Sequence, residues 1–432
     1  MSILFTPAGD TDPIRDCHDG AILHIIRTYK PSMVRIFLSA DMTEKEEKRK
    51  IYSKAIEYNA PDCKVEFIKT AITDVHLMEN LIPLASEFMK LRQEYPEEEI
   101  ILNISSGTPQ MKTIMSILAT DFDNVRAIQV DSPSKASNRE IHATQDSEDI
   151  DAVIENNFDN EPDYNCRCHE APLTVLRRYS IKQQLVSLVN SYEYSAALAL
   201  YKKNKQLFND EVGKLLEHAD LRSKLQYDEA FKIKGAPLNN DKEIKSLNEF
   251  FMVMELRQKK EELSEFIVKI TPFLYDLTKY YFQHILNFSF DRICNKSGNK
   301  WRISKDKIKE ISLQLFTYLN NKYDGGFKDG VELSFSNMLN ILHGLSIPDN
   351  ELLEALDKLR IVEARHRNKI AHNIVNITEQ VLRTTEPNLN SLQIMHLLHK
   401  VFTCVMKGKI YERNIYDDLN KEIISSLEKI VK

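Results

Sequence analysis

The chain has 432 residues, 42% of them hydrophobic, enough for two or three domains with buried cores. Only 11 are glycine, about a third of the roughly 7% usual in proteins, which excludes collagen-like and glycine-rich linker architectures. Neither G-x-G-x-x-G nor G-x-x-x-x-G-K-[ST] occurs, and a formal charge of −6 argues against a general nucleic-acid coat while leaving room for a local basic site.

The first third alternates strand and helix signals. Apolar runs predict strands at 3–6, 34–39, 65–68, 100–104 and 125–130, separated by helical patterns at 16–29, 43–58, 75–95 and 109–121. Thr43 followed by Glu46 reads as a capping box, and Pro109 suits a first helical turn. Short buried strands alternating with helices imply right-handed βαβ units and a Rossmann-like, doubly wound parallel sheet. From Arg139 to Arg167 no lysine or arginine intervenes, and the acids gather between Asp146 and Asp163. That composition predicts a solvated linker at about 143–165, dividing an α/β domain at 1–165 from a second domain at 166–432. The second domain reads as all-α, with helical periodicity at 181–204, 242–287, 308–322 and 351–372 and a loop-rich interruption at 323–330.

Six cysteines show no framework spacing. With no signal-peptide pattern at the start and no apolar run near the roughly 20 residues of a membrane span, the expectation is a cytoplasmic protein with reduced thiols and no membrane association. Cys166-x-Cys168-His169 lacks the fourth ligand of a structural zinc site, so no metal is expected. Lys300-Trp301-Arg302-Ile303-Ser304-Lys305 joins the only tryptophan to cations and can touch RNA, although a solvated helix start at Ser304 explains it more simply.

Open α/β sheets bind ligands beyond the carboxyl ends of their strands. Two of the three glycines before residue 200 lie there. The first strand leads into Gly9-Asp10-Thr11-Asp12, and the fourth into Ser105-Ser106-Gly107-Thr108-Pro109-Gln110-Met111. The second loop offers hydroxyls, a close backbone approach at Gly107 and the free N–H groups of a helix start, which suits a phosphodiester or a base edge. Asp10 and Asp12 repel bare phosphate and favour base or ribose contacts; Asp74, after the third strand, is placed in the pocket by topology. Each loop is also readable as an ordinary strand-to-helix turn.

In the helical region, 359–372 gathers positive charge and contains the single Arg-Asn-x₃-His, formed by Arg367, Asn368 and His372. On a helix Asn368 and His372 share a face at i,i+4, and Arg367 is offset by about 100°. Those groups suit RNA cleavage without a metal: a 2′-hydroxyl attacks phosphorus, histidine transfers protons near neutral pH, and arginine offsets charge on the phosphorane. A charged amphipathic helix face is the alternative reading.

The Arg367-Asn368…His372 pattern resembles the HEPN ribonuclease motif, and the sheet with Ser105-Ser106-Gly107-Thr108-Pro109-Gln110 resembles the CARF sensor domain. In this order and length the chain resembles the ancillary Csm-type CARF–HEPN ribonucleases of type III-A CRISPR systems, and Tyr192-Glu193-Tyr194-Ser195-Ala196-Ala197 is similar to their first helical segment. The resemblance implies a homodimer whose paired CARF domains bind a cyclic oligoadenylate, the hexa-adenylate favoured over the tetra-adenylate. It further implies antiviral, metal-independent cleavage of single-stranded RNA, with His372 and Arg367 catalytic, Asn368 supporting, and no stable DNA binding. The alternative is a non-catalytic nucleotide-sensing dimer whose helical domain binds a partner.

Overall fold

The computed structural model describes residues 2–133, 149–298, 300–323, 325–367, 376–384 and 388–429. The chain divides into two compact units, Met1–Ile181 and Lys182–Lys432.

In the first unit a six-stranded sheet forms from β1 (Ser2–Pro7), β4 (Met33–Leu38), β5 (Lys64–Lys69), β6 (Glu99–Asn103), β7 (Val125–Val130) and β8 (Cys168–Glu170), in the spatial order β5-β4-β1-β6-β7-β8. All neighbours are parallel except β8, which runs antiparallel at the edge. Alternate side chains leave opposite faces of a strand. Leu4, Val34, Ile36, Ile101 and Ile128 therefore enter one core, beneath α1 (Ala21–Tyr29) and α3 (Ile51–Asn59). Ile3, Phe5, Phe37, Ile100 and Leu102 enter the other, beneath α4 (Ile82–Glu94) and α5 (Pro109–Leu118). The expected doubly wound sheet is present, with the order reversing between β1 and β6.

Three local expectations are corrected. The helix expected at 16–29 starts only at Ala21, because β2 (Ile14–Arg15) and β3 (His18–Asp19) form a hairpin turned by Asp16 and Cys17. Both turn residues have positive φ, 51° and 57°, the pattern of a two-residue primed turn. The helix expected at 43–58 is two helices, α2 (Ala40–Arg49) and α3, broken at Lys50 with φ 52°. Ser39, not Thr43, caps α2 through the Met42 N–H, and Glu46 turns inward to accept from the Tyr52 N–H at 2.8 Å. The acidic stretch is folded in from Asp149 onward: α6 (Ile150–Glu155) buries Ile150 and Ile154 in the first core. Asp159, 4% exposed, accepts from Arg167 Nη2 at 2.9 Å and from the Asp19 N–H at 2.8 Å. Buried carboxylates with matched donors hold this segment on the sheet rather than in solvent.

The second unit is helical. Each long pattern is interrupted: 181–204 resolves into Thr174–Asn190 and Tyr194–Lys203, and 242–287 begins as Lys242–Lys259 and Leu263–Tyr280. Phe251, Phe273 and Phe402 form an aromatic centre, with ring centroids 4.7 to 5.4 Å apart. Arg222 and Glu249 make a buried two-point ion pair at 2.6 and 2.9 Å, joined by the Tyr411 hydroxyl. The helix start expected at Ser304 is present, with Ser304 the N-cap of Lys305–Ile311, and the residues before it form a strand, β10 (Lys300–Ile303), paired with β9 (Cys294–Ser297). Among the described residues no helix is long and apolar enough to cross a membrane.

Candidate ligand pocket and the approach to the Arg-Asn-His motif

The reversal of strand order leaves a crevice at the carboxyl ends of β1 and β6. Two adjoining cavities of about 350 and 360 Å³ occupy it, sharing Thr11, Arg15, Ser105 and Lys112 in their walls. Gly9, Asp10, Gly107, Thr108 and Met111 line the second.

The two loops meet at backbone level. A Cβ on Gly9 would lie 2.7 Å from the Gly107 amide nitrogen, and one on Gly107 (φ 78°) would lie 2.8 Å from Met111 Sδ. Asn103, fully buried at the end of β6, organises the second loop. Its Nδ2 donates to Thr6 Oγ1 at 3.0 Å and Ser106 Oγ at 2.6 Å, and its Oδ1 accepts from the Ser105 and Ser106 N–H groups. Thr108 caps α5 through the Met111 N–H and donates its hydroxyl to the Val75 carbonyl at 3.1 Å.

Asp12 is 4% exposed and serves the first loop from within, accepting from the Ile22 N–H at 3.1 Å and the Gly9 N–H at 3.3 Å. Burial pushes its carboxyl up to about 6, against the opposing pull of those amides, the Ser106 hydroxyl and Lys112. Burial also lowers the Lys112 ammonium; Arg15 adds to that shift and Asp12 resists it. Asp10 is exposed and paired with Lys45 at 3.2 Å.

Among the described residues, Asp12, Asp74, Ser106 and Gln110 stand outside both linings. Asp12 and Ser106 are buried beneath the loops, Asp74 is exposed beside the lining residue Val75, and Gln110 is the next helix position before Met111. The sequence reading missed Asn103, Arg15 and Lys112. Lys112 had a signal, since it follows the N-cap Thr108 at i+4; Arg15 had none, because a hairpin carries it to the crevice. Two cations, several hydroxyls and open backbone amides suit a polyanion that also carries base edges.

The thiols of Cys166 and Cys168 lie with the His24 ring, their ligand atoms within 4.8 Å of one another. His24 Nε2 already accepts the Arg167 N–H at 2.9 Å, and Nδ1 stands 3.4 Å from Asp19. His169 faces Asp131 instead, at 2.8 Å.

In the helical unit, Asn350–Val362 buries Leu352, Leu356, Leu359 and Val362 along one stripe. The helix then widens into a π turn, Glu363–Arg367, where buried Glu363 accepts from Thr271 Oγ1 at 2.9 Å and pairs with Arg360. A π turn rotates everything after it relative to the apolar stripe, and such turns recur at functional sites. The Arg367 side chain, Asn368 and His372, and with them the expected i,i+4 arrangement, lie outside the described residues.

Three family models match the chain: the Csm6 CARF domain over residues 64–168, the Csm6 6H domain over 171–223 and the Csm6 HEPN domain over 236–424. Among curated relatives, a CRISPR system endoribonuclease Csm6 from Mycobacterium tuberculosis is 29% identical over 431 residues, covering 99% of both chains. One of the same name from Streptococcus thermophilus is 28% identical over 444 residues, covering 99% of this chain and 100% of the relative. Among solved structures, Enterococcus italicus Csm6 bound to cyclic hexa-2′-fluoro-hexa-dAMP superposes with a TM-score of 0.70 at 22% identity, covering 99% of this chain and 100% of that one.

Proposed function

Because the chain belongs to the Csm6 family, whose CARF, 6H and HEPN models it matches in order, we propose that it is a CRISPR endoribonuclease switched on by a cyclic oligoadenylate. The HEPN match over 236–424 carries the reading, for it contains the single Arg-Asn-x₃-His of the chain.

In this reading the crevice of the first unit holds the activator, and the domain boundary expected at 165/166 lies later in the chain, since β8 completes the sheet and the first compact unit runs to Ile181. Gly9, Thr11, Ser105, Gly107, Thr108 and Met111 present backbone and hydroxyl groups, and Arg15 and Lys112 balance phosphate charge. Asp12 and Ser106 act from beneath by holding the loops, while Asp10, Asp74 and Gln110 sit at the rim. The bound ligand of the E. italicus protein makes the cyclic hexa-adenylate the first activator to try, ahead of the tetra-adenylate.

Cleavage itself needs no metal in this mechanism. The ribose 2′-oxygen attacks the adjacent phosphorus, the 5′-oxygen leaves, and a 2′,3′-cyclic phosphate remains. His372 moves the proton, Arg367 stabilises the charged phosphorane, and Asn368 orients the imidazole. One histidine per motif favours a homodimer, in which the second copy supplies the partner imidazole for the two proton transfers. The substrate is single-stranded RNA, whose flexible backbone can align the 2′-oxygen for in-line attack.

The test is cleavage of single-stranded RNA in EDTA, with cyclic hexa- or tetra-adenylate, by wild type, Arg367→Ala and His372→Ala. Activated cleavage by wild type and its loss in both variants is expected. Cleavage that requires metal or survives His372→Ala refutes the chemistry. Silence of all three chains favours a nucleotide sensor whose helical unit binds a partner.

A further inference from the structure

The one hairpin described in the helical unit concentrates positive charge, as the segment around Arg367 also does, in a chain that is acidic as a whole. From Arg292 to Lys309 there are seven lysines and arginines and one acid, Asp306, against a net charge of −6 for the whole chain. In the β9–β10 ladder Ile303 faces Cys294 and Trp301 faces Lys296. The first pair is buried and seats the hairpin on the core. Two residues further along, the same face carries half-buried Trp301 and exposed Lys296, with the ammonium 5.7 Å from the indole centroid. The opposite face carries exposed Lys300 and Arg302.

This platform is braced. The Ile303 N–H donates to the Val331 carbonyl at 2.8 Å, the Leu333 N–H to the Trp301 carbonyl at 2.8 Å, and Arg302 Nη1 to the Gly330 carbonyl at 2.9 Å. It also stands close to the approach to the motif. Tyr275, on helix Leu263–Tyr280, has its phenol pushed up by burial and by Asp276, Glu332 and Cys294 around it. Thr271, one turn earlier on that helix, donates to Glu363 of the π turn. Residues at i,i+4 are roughly 5–6 Å apart, so the turn leading to Arg367 meets this helix one turn from the residue whose phenol feels Cys294 of the hairpin.

We propose that the β9–β10 hairpin is the docking strip for the RNA substrate: Trp301 stacks on an unpaired base with Lys296 beside it on the same face taking a flanking phosphate, while Lys300 and Arg302, on the other face, take phosphates where the strand passes the edge of the hairpin. The proposal rests on the ribonuclease reading above and adds where its substrate is held. Sequence-tolerant binding of single strands combines cations along the backbone with an aromatic face for the bases. A duplex presents no free base face, and an acidic protein would match the cations but give the indole no task. The exposed pair of Lys300 with Glu332, 2.8 Å long, is of the kind a phosphate displaces.

As the only tryptophan in the chain, Trp301 reports on the strip directly. Full-length wild type is titrated with a single-stranded 2′-O-methyl oligonucleotide, which has no free 2′-hydroxyl to react. Tryptophan emission should quench in step with binding read from the anisotropy of a labelled copy. Lys296→Ala with Lys300→Ala should weaken binding about tenfold and flatten the dependence of log affinity on log salt by about 1.4, roughly 0.7 per lost phosphate contact. Trp301→Leu should weaken it by about tenfold as well, and in cleavage of ordinary RNA the loss should fall on KM. Binding that leaves the emission unchanged, with both variants matching wild type, overturns the docking strip and assigns its charge to a protein partner. No binding of the oligonucleotide at all overturns it too. Failure of the ribonuclease reading is recognised separately, as the absence of cleavage by activated wild type.

Discussion

Replacing Asn103 with alanine separates the shape of the ligand loop from the groups that line it. The amide makes four hydrogen bonds: it donates to Thr6 Oγ1 at 3.0 Å and Ser106 Oγ at 2.6 Å, and accepts from the Ser105 N–H at 2.8 Å and the Ser106 N–H at 3.3 Å. Truncation is not equally costly at each. The two hydroxyls can rotate to other partners, and Ser105 is half-buried beside the cavity, where water can reach its amide. Ser106 is 1% exposed, so its N–H is left without an acceptor. An unmet buried donor costs about 1–3 kcal/mol, and loss of the remaining bonds adds about 1 kcal/mol, giving roughly 2–4 kcal/mol. Asn103→Ala should lower the urea midpoint accordingly. Where ligand binding must restore the loop, activator affinity by calorimetry should fall at least about tenfold, 1.4 kcal/mol being a factor of ten. Cleavage at saturating activator should approach the wild-type rate, since Asn103 stands beneath the pocket. Wild-type values for both the urea midpoint and the affinity refute the role assigned to this amide.

Asp12 makes stability depend on pH with an unusual sign. Its folded value of about 6 lies above the ordinary 3.8 of an aspartate, so the native state holds the extra proton. Its contribution is complete below about pH 4 and is lost as pH rises through 6, by about 3 kcal/mol for two units. Urea midpoints of wild type and Asp12→Asn, compared at pH 4.5 and 7, should differ most in that dependence; parallel curves would contradict the burial argument. Gly107→Ala places a side chain at φ 78° and 2.8 Å from Met111 Sδ, which should cost about 1–3 kcal/mol and weaken activator binding in the same calorimetric assay. Arg222→Met leaves Glu249, 1% exposed at its side chain, without its ion-pair partner. Thermal melting should report a loss of about 3–5 kcal/mol, and a smaller loss in Arg222→Met combined with Glu249→Leu.

The five parallel strands were legible because each is a short apolar run in a sheet covered on both faces, whereas the antiparallel edge strand β8, Cys168-His169-Glu170, carries no such run. The run at 125–130 coincides with β7, and the other four differ by a residue or so at their ends. The breaks were not legible. Asp16, Cys17 and Lys50 take positive φ without being glycine, and nothing in their composition marks a turn. The acidic stretch misled for a related reason: charge pattern implies solvent until a distant arginine, here Arg167, is known to meet Asp159.

Gly9 and Gly107 were identifiable from position alone, because loops after strands face the ligand edge and only glycine permits backbone to approach backbone. The order of domains and the Arg367-Asn368-x₃-His372 spacing are likewise properties of the linear chain. Arg15, Lys112 and Asn103 are different, since each depends on two loops, almost a hundred residues apart, converging where the strand order reverses. The placement of Trp301 on a braced hairpin is of the same kind. Local periodicity encodes which face of an element is buried, but the meeting of elements is decided by packing across the whole unit, and pockets and platforms exist only at such meetings.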